Sequence, residues 1–284
     1  MRSFLFVPGD SEKKLAKAYD SGADVVILDL EDSVSADRKP AARALVREAA
    51  ADAPGTVAIR VNALDTGLVD DDLAAVMAAR PAMIVLPKSE TGADVAHLSA
   101  RLSVHEAEQD VADGATRVLA IATETARAMF GLGTYDAAGP RLAAMTWGLE
   151  DLSAALGVSR TRDENGRVTD PFAFARTMCL AGAKAAGVLP IDAVYTDFRN
   201  SEGLARESRE AAADGFLGKL AIHPAQVAVI NEAFTPSAEA VAAARRIVAA
   251  FEENPGAGVV SLDGRMVDRP HLINAQQLLA RVGA

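Results

Sequence analysis

One cysteine, Cys179, occurs in 284 residues. A chain so short of thiols forms no internal disulfide and no multi-cysteine metal site, and it suits a reducing compartment. No run approaches the roughly 18 apolar residues of a membrane span. The opening Met1-Arg2-Ser3-Phe4 leads into Pro8-Gly9-Asp10, not into a signal-peptide core. Positive charge is in deficit: 29 Lys and Arg against 39 Asp and Glu give a formal net charge of −10. That balance argues against nucleic acid or an anionic membrane as partner. The four histidines (His97, His105, His223, His271) show no ligand spacing. A Gly-rich phosphate loop, a Gly-x-Ser-x-Gly elbow, low-complexity segments and obvious linkers are all missing. The expectation is a soluble cytoplasmic globular protein, half of it hydrophobic, with ample material for a core.

What is present is a repeated pattern. Short apolar runs ending in polar or Gly/Pro clusters fall at Phe4–Val7, Val25–Asp29, Val57–Val61, Met83–Leu86, Val118–Ala122, Ala144–Trp147, Ala193–Thr196 and Lys219–Ile222. Between them lie segments with helical spacing, such as Asp37 to Ala50 and Leu204 to Ala213. Alternation of this kind implies parallel strands covered on both faces. A repeat of roughly 30 residues matches one βαβ unit. Eight such units are the arithmetic of a closed (β/α)₈ barrel over residues 1–235, the alternative being an open doubly wound sheet.

Residues 236–284 exceed what closure needs. Pro236-Ser237 opens a helix carrying Val241, Ala244, Val248 and Phe251, and Asn254-Pro255-Gly256 ends it. A hairpin around Asp263-Gly264 and a last helix from Pro270 follow. This extension packs either on a neighbouring subunit or back on its own barrel. The polar loop Ser159 to Asp170, placed directly after the sixth strand, reads as a solvated loop or, by position, a lid.

Working residues of a barrel sit at the carboxyl ends of its strands. Those ends carry Asp29-Leu30-Glu31-Asp32, Arg60-Val61-Asn62, Pro87-Lys88, Thr123-Glu124-Thr125 and Gly148-Leu149-Glu150-Asp151. Crowded carboxylates repel, so either some are protonated or a cation sits among them. Mg²⁺ answers this economically, because it binds one or two carboxylates plus water and substrate oxygens. Strands five and six are adjacent, so Glu124 and either Glu150 or Asp151 are candidate ligands. The competing reading makes these acids helix starters. Arg60 follows Val57-Ala58-Ile59 straight out of the core, and its fork matches a carboxylate or enolate oxygen. A salt bridge to Asp29 or Glu31 is compatible with that role, the acid orienting the arginine; Asp32 is the third supporting candidate.

The motifs Phe4-Leu5-Phe6-Val7-Pro8-Gly9-Asp10, Ile27-Leu28-Asp29-Leu30-Glu31-Asp32-Ser33-Val34, Ile59-Arg60-Val61-Asn62, Leu86-Pro87-Lys88, Thr123-Glu124-Thr125-Ala126 and Gly148-Leu149-Glu150-Asp151-Leu152 occur in that order. Ile222-His223-Pro224-Ala225-Gln226 and Gly264-Arg265-Met266-Val267-Asp268-Arg269-Pro270 follow them. Together they resemble the citrate lyase beta-subunit-like family, within the broader citrate lyase/HpcH/HpaI aldolase group. The resemblance implies a TIM-type barrel, trimeric or hexameric, acting with Mg²⁺ on CoA thioesters of the malyl, citramalyl or citryl kind, with a 2-keto acid as co-product. It implies Glu124 and Asp151 as metal ligands, Glu124 also meeting substrate, and Arg60 as the substrate-binding arginine. It further implies Asp268 as an aspartate lent to the neighbouring subunit's site, serving proton transfer. Ala122-Thr123 depart from the aliphatic pair commoner before that glutamate, and the His-Arg-Asp set of HpaI-type aldolases is not apparent. The same constellation supports an acyl-CoA thioesterase, with water replacing carbon, or a beta subunit acting on an acyl-carrier partner.

Overall fold

Eight apolar segments become parallel strands: β1 (Ser3–Pro8), β2 (Val25–Asp29), β3 (Val57–Arg60), β4 (Met83–Leu86), β5 (Arg117–Ile121), β6 (Leu142–Thr146), β7 (Leu189–Asp192) and β8 (Gly218–Ala221). Each pairs with the next, and β1 pairs with β8, which closes the barrel. An open sheet is excluded. The computed structural model describes residues 1–283, and the chain divides into two compact units, Met1–Phe234 and the segment from Thr235 onward.

In the first unit, strand parity sorts side chains into two layers. Phe4, Val25, Ile27, Ala58, Met83, Val85, Leu119, Ile121, Ala144, Ile191 and Leu220 fill the barrel interior. Their alternates, such as Leu5, Val26, Leu28, Ile59 and Ile84, pack outward in the larger cluster against the helices. Those helices are α1 (Glu12–Ala18), α2 (Lys39–Ala51), α3 (Val69–Val76), α4 (Gly92–Glu108), α5 (Leu149–Leu156), α6 (Asp170–Ala185), α7 (Ser201–Asp214) and α8 (Ala225–Ala233). The β5–β6 connection departs from the pattern. It holds only the 3₁₀ turns Ala128–Phe130 and Leu132–Ala137, in a stretch where Gly131 and Gly133 weaken helix propagation.

Two expectations need correction. The seventh strand lies at Leu189–Asp192, ahead of the expected Ala193–Thr196. Pro190 and Asp192 disguise it as a loop. In the sheet, Pro190 contributes its carbonyl to Leu217 N at 2.9 Å, and Lys219 Nζ neutralises Asp192 at 2.7 Å. The loop Ser159 to Asp170 also does not follow the sixth strand directly, since α5 intervenes.

The second unit is helix α9 (Ala238–Glu252), a hairpin of β9 (Val259–Leu262) and β10 (Arg265–Asp268), and helix α10 (Arg269–Arg281). Ser237 caps α9 by accepting from Ala240 N. Asp263 and Gly264 both take positive φ, 53° and 74°, as a tight two-residue hairpin turn requires. Phe251, Val260 and Val267 form its small core. Among the described residues no helix is long and apolar enough to cross a membrane.

Candidate active site

The parity that sends Val25 and Ile27 inward also aims Asp29 into the barrel mouth, and the parity of Ala58 does the same for Arg60. The two side chains meet there. Arg60 Nε and Nη2 donate to Asp29 Oδ1 and Oδ2 at 2.6 and 2.7 Å, and Nη1 lies 2.8 Å from Glu31 Oε2. Asp29 also accepts from the backbone N–H groups of Glu31 and Ser33. Burial pushes the Asp29 carboxyl upward, but Arg60 outweighs it and leaves Asp29 below the usual carboxylate range. Burial likewise lowers the Arg60 guanidinium, and Asp29 and Glu31 overturn that and hold it firmly cationic. The Arg60 plane lies over the Phe6 ring, 4.8 Å from its centroid.

Across the mouth, Glu124 is buried just beyond β5. Its Oε2 accepts from Lys88 N at 2.5 Å. Lys88 adopts φ 52°, a left-handed conformation rare for a side chain of this kind, and this backbone geometry accompanies the N–H aimed at the carboxylate. Burial pushes the Glu124 carboxyl up to about 8; the Lys88 N–H opposes this, and the charges of Asp151 and Glu31 add to it. Asp151 stands in the first turn of α5, its side chain 33% exposed, 3.5 Å from Lys88 Nζ. Lys88 Nζ also donates to Glu31 Oε1, and to Asp32 at 3.2 Å. Burial opposes its charge and Glu31, Glu124 and Asp151 restore it, so the ammonium is held above its ordinary range.

Arg60, Glu124, Asp151, Asp29 and Asp32 line one cavity of about 350 Å³. Glu150 lines it too, although its residue is exposed. Glu31 reaches the group through Arg60 and Lys88. Ser33 apart, the rest of the wall is largely apolar, including Phe6, Pro8, Ile121, Leu149 and Val194. Asp268 belongs to the second unit, where it is half-buried and caps α10 in a reciprocal pair with His271. The hydrogen bond from His271 holds its carboxyl below the usual range.

Lys88 is the residue that the sequence reading left out of the site. Its signal was present, a lysine immediately after a fully apolar strand, but a lone lysine at a strand end looks like solvent-facing balance.

Among the described residues no group of three or more His, Cys, Asp or Glu side chains is arranged to hold a metal ion. Two carboxylates suffice for Mg²⁺, which keeps waters and takes substrate oxygens. Glu124 and Asp151 fit that requirement. They offer hard oxygen donors, the charge of Asp151 adds to the cost of ionising Glu124, and both face a cavity with room for water and substrate.

The sequence profile described as HpcH/HpaI aldolase/citrate lyase matches residues 2–224. A citrate lyase subunit beta-like protein of Mycobacterium tuberculosis is 40% identical over 280 residues, covering 99% of this chain and 95% of that protein. The mitochondrial citramalyl-CoA lyase of Rattus norvegicus is 35% identical over 98% of this chain and 85% of its own length. A (3S)-malyl-CoA thioesterase of Cereibacter sphaeroides is 37% identical over 100% and 95%. The crystal structure of CitE from M. tuberculosis, in complex with magnesium, acetoacetate and coenzyme A, superposes with a TM-score of 0.80 at 37% identity, covering 100% of this chain and 98% of that one.

Proposed function

Because the chain belongs to the HpcH/HpaI aldolase/citrate lyase family, we propose that it is a Mg²⁺-dependent lyase. It cleaves a C–C bond in 3-hydroxyacyl-CoA thioesters that carry a second carboxylate, of the malyl, citramalyl or citryl kind. The products are acetyl-CoA and a 2-keto acid. The observation that carries this reading is the buried Glu124 carboxyl, charged only at a cost, facing Asp151 and Arg60 in one cavity.

Glu124 and Asp151 would hold the ion, and Mg²⁺ supplies Lewis-acid polarisation of a substrate oxygen. The chain's own residues do the rest. Arg60 is fixed before substrate arrives by three contacts to Asp29 and Glu31. Its remaining N–H groups are placed to stabilise the enolate oxygen left on the acetyl fragment. The acids that fix the arginine thus orient it for substrate. The apolar wall of Phe6, Ile121 and Leu149 offers water no hydrogen-bonding side chain on that side, which supports the reading as carbon chemistry over hydrolysis. Asp268, brought by the extension of a neighbouring copy, takes the proton of the substrate hydroxyl as the C–C bond breaks and returns it to the acetyl carbon.

A mass-spectrometric screen of CoA thioesters with and without Mg²⁺ tests this. Acetyl-CoA with a matching 2-keto acid, formed only with Mg²⁺ and lost in Glu124→Gln, is the expected outcome. Free CoA thiol in place of acetyl-CoA would reassign the site to hydrolysis, the activity named for the C. sphaeroides relative. Turnover that requires an acylated carrier protein would make the chain a subunit of a larger lyase.

A further inference from the structure

Trp147 lines the catalytic cavity and also a second one of about 240 Å³ on the outer side of the barrel. Four arginines line this second cavity: Arg162 and Arg167 from the loop after α5, Arg176 from α6 and Arg206 from α7. The loop is the Ser159 to Asp170 segment, closed on itself by a bridge between Arg162 and Val168. Glu207 and Glu210 are the acids in the lining. Glu207 is already engaged by Arg162 at 2.7 Å and by Lys219 at 2.9 Å. Arg176 Nε and Nη1 are committed to Asp192 and Asp214. Arg167 and Arg206 make no side-chain hydrogen bond or ion pair among the described residues, and the Arg206 guanidinium reaches to Gly166. Glu210 makes none either, so two uncommitted guanidinium groups against one carboxylate leave the cavity an excess of positive charge, on a protein whose net charge is −10.

We infer that this cavity is a binding site for a small multivalent oxyanion, separate from the catalytic cavity and independent of the chemistry proposed there. Guanidinium forks converging on a pocket of this size match a diphosphate group or a di-carboxylate. The site is wired to the catalytic wall through one oxygen. Arg176 Nε and Trp147 Nε1 share Asp192 Oδ1, at 3.2 and 2.7 Å. An anion that draws on Arg176 alters the partner of the indole, and the indole backs the catalytic cavity.

Trp147 is the sole tryptophan, so its emission reports the shared wall. The metal-free full-length protein is titrated at low ionic strength with inorganic pyrophosphate and, separately, with malonate. A saturable change with at least one probe is expected, and the effective probe identifies the group as phosphate or carboxylate. Arg167→Ser combined with Arg206→Ser removes only exposed, unpaired side chains. It is expected to weaken the response about tenfold or more, as for lost charge-assisted hydrogen bonds, with the far-UV circular dichroism unchanged. No saturable change with either probe overturns the site. So does a response that survives the double substitution, because the signal then comes from the catalytic cavity.

Discussion

The side chain of Glu124 lies so near the backbone of Gly148 that a Cβ built there would stand 2.5 Å from Glu124 Cγ. Gly148 has ordinary extended dihedrals, φ −111° and ψ 119°, so the glycine answers crowding and not conformation. Gly148→Ala is therefore expected to push Glu124 out of place. The overpacking cost is about 1–3 kcal/mol of stability, whereas Mg²⁺ affinity by calorimetry falls about tenfold or more. Unchanged Mg²⁺ affinity would separate Glu124 from the metal. Lys88 gives a prediction of opposite sign. Its ammonium neutralises Glu31, Asp32 and Asp151 before any metal enters. In Lys88→Met those acids repel, so the metal-free protein melts lower while Mg²⁺ binds more tightly, with a larger metal-induced rise in melting temperature. A merely structural lysine would lower both. Asp29 and Arg60 are legible in sequence because parity carries a polar side chain out of an apolar strand, and Glu124 because it stands just beyond the end of one. Lys88 is not, since its partners are scattered over three connections and only closure of the barrel gathers them.

Among the elements, β7 is the one that sequence reading misplaced, and the reason is a charge pair. Asp192 and Lys219 are both fully buried, outside the barrel and beneath α6 and α7. Each alone looks like a surface residue, and they lie far apart in sequence. Only the register of β7 beside β8 sets them opposite one another, Asp192 against Lys219. Burial pushes the Asp192 carboxyl upward, but Lys219 and Arg176 outweigh it and leave it below its ordinary range. Its contribution to stability is thus complete above the unfolded carboxyl pKa of about 3.9 and is lost as pH falls below it. Urea unfolding across acid pH checks the sign. Asp192→Asn leaves the buried Lys219 with Glu207 alone as counter-charge and is expected to cost about 3 kcal/mol at pH 7, the low end for a broken buried pair. The difference from the unmodified protein narrows as pH falls toward the range where Asp192 itself protonates. A constant difference at every pH would deny the ionised pair. Other elements were legible because nothing charged interrupts them: β4 is Met83–Leu86, apolar throughout and buried throughout.

At the scale of the whole molecule, the barrel could be counted in the sequence because each unit repeats the same burial problem and solves it with the next. The extension from Thr235 was equally legible as helix, hairpin and helix. Its destination was not, because its apolar residues split between a small core of Phe251, Val260 and Val267 and an exposed set. Met266 is 80% exposed and Ile273 51%, side chains that a finished surface would cover. A subunit neighbour is the cover that the family resemblance implies, and it would carry Asp268 into a site whose metal ligands belong to another chain. Complementation decides this. Asp268→Asn and Glu124→Gln proteins are each expected to be inactive. Co-expressed at equal levels, they form mixed rings in which a site is whole when an intact Glu124 meets an intact Asp268 from its neighbour. Random assembly of a cyclic oligomer makes that true of about one site in four, so roughly a quarter of the unmodified activity returns. If each extension serves its own barrel, every site in the mixture lacks one of the two acids and nothing returns, whatever the oligomeric state measured by light scattering.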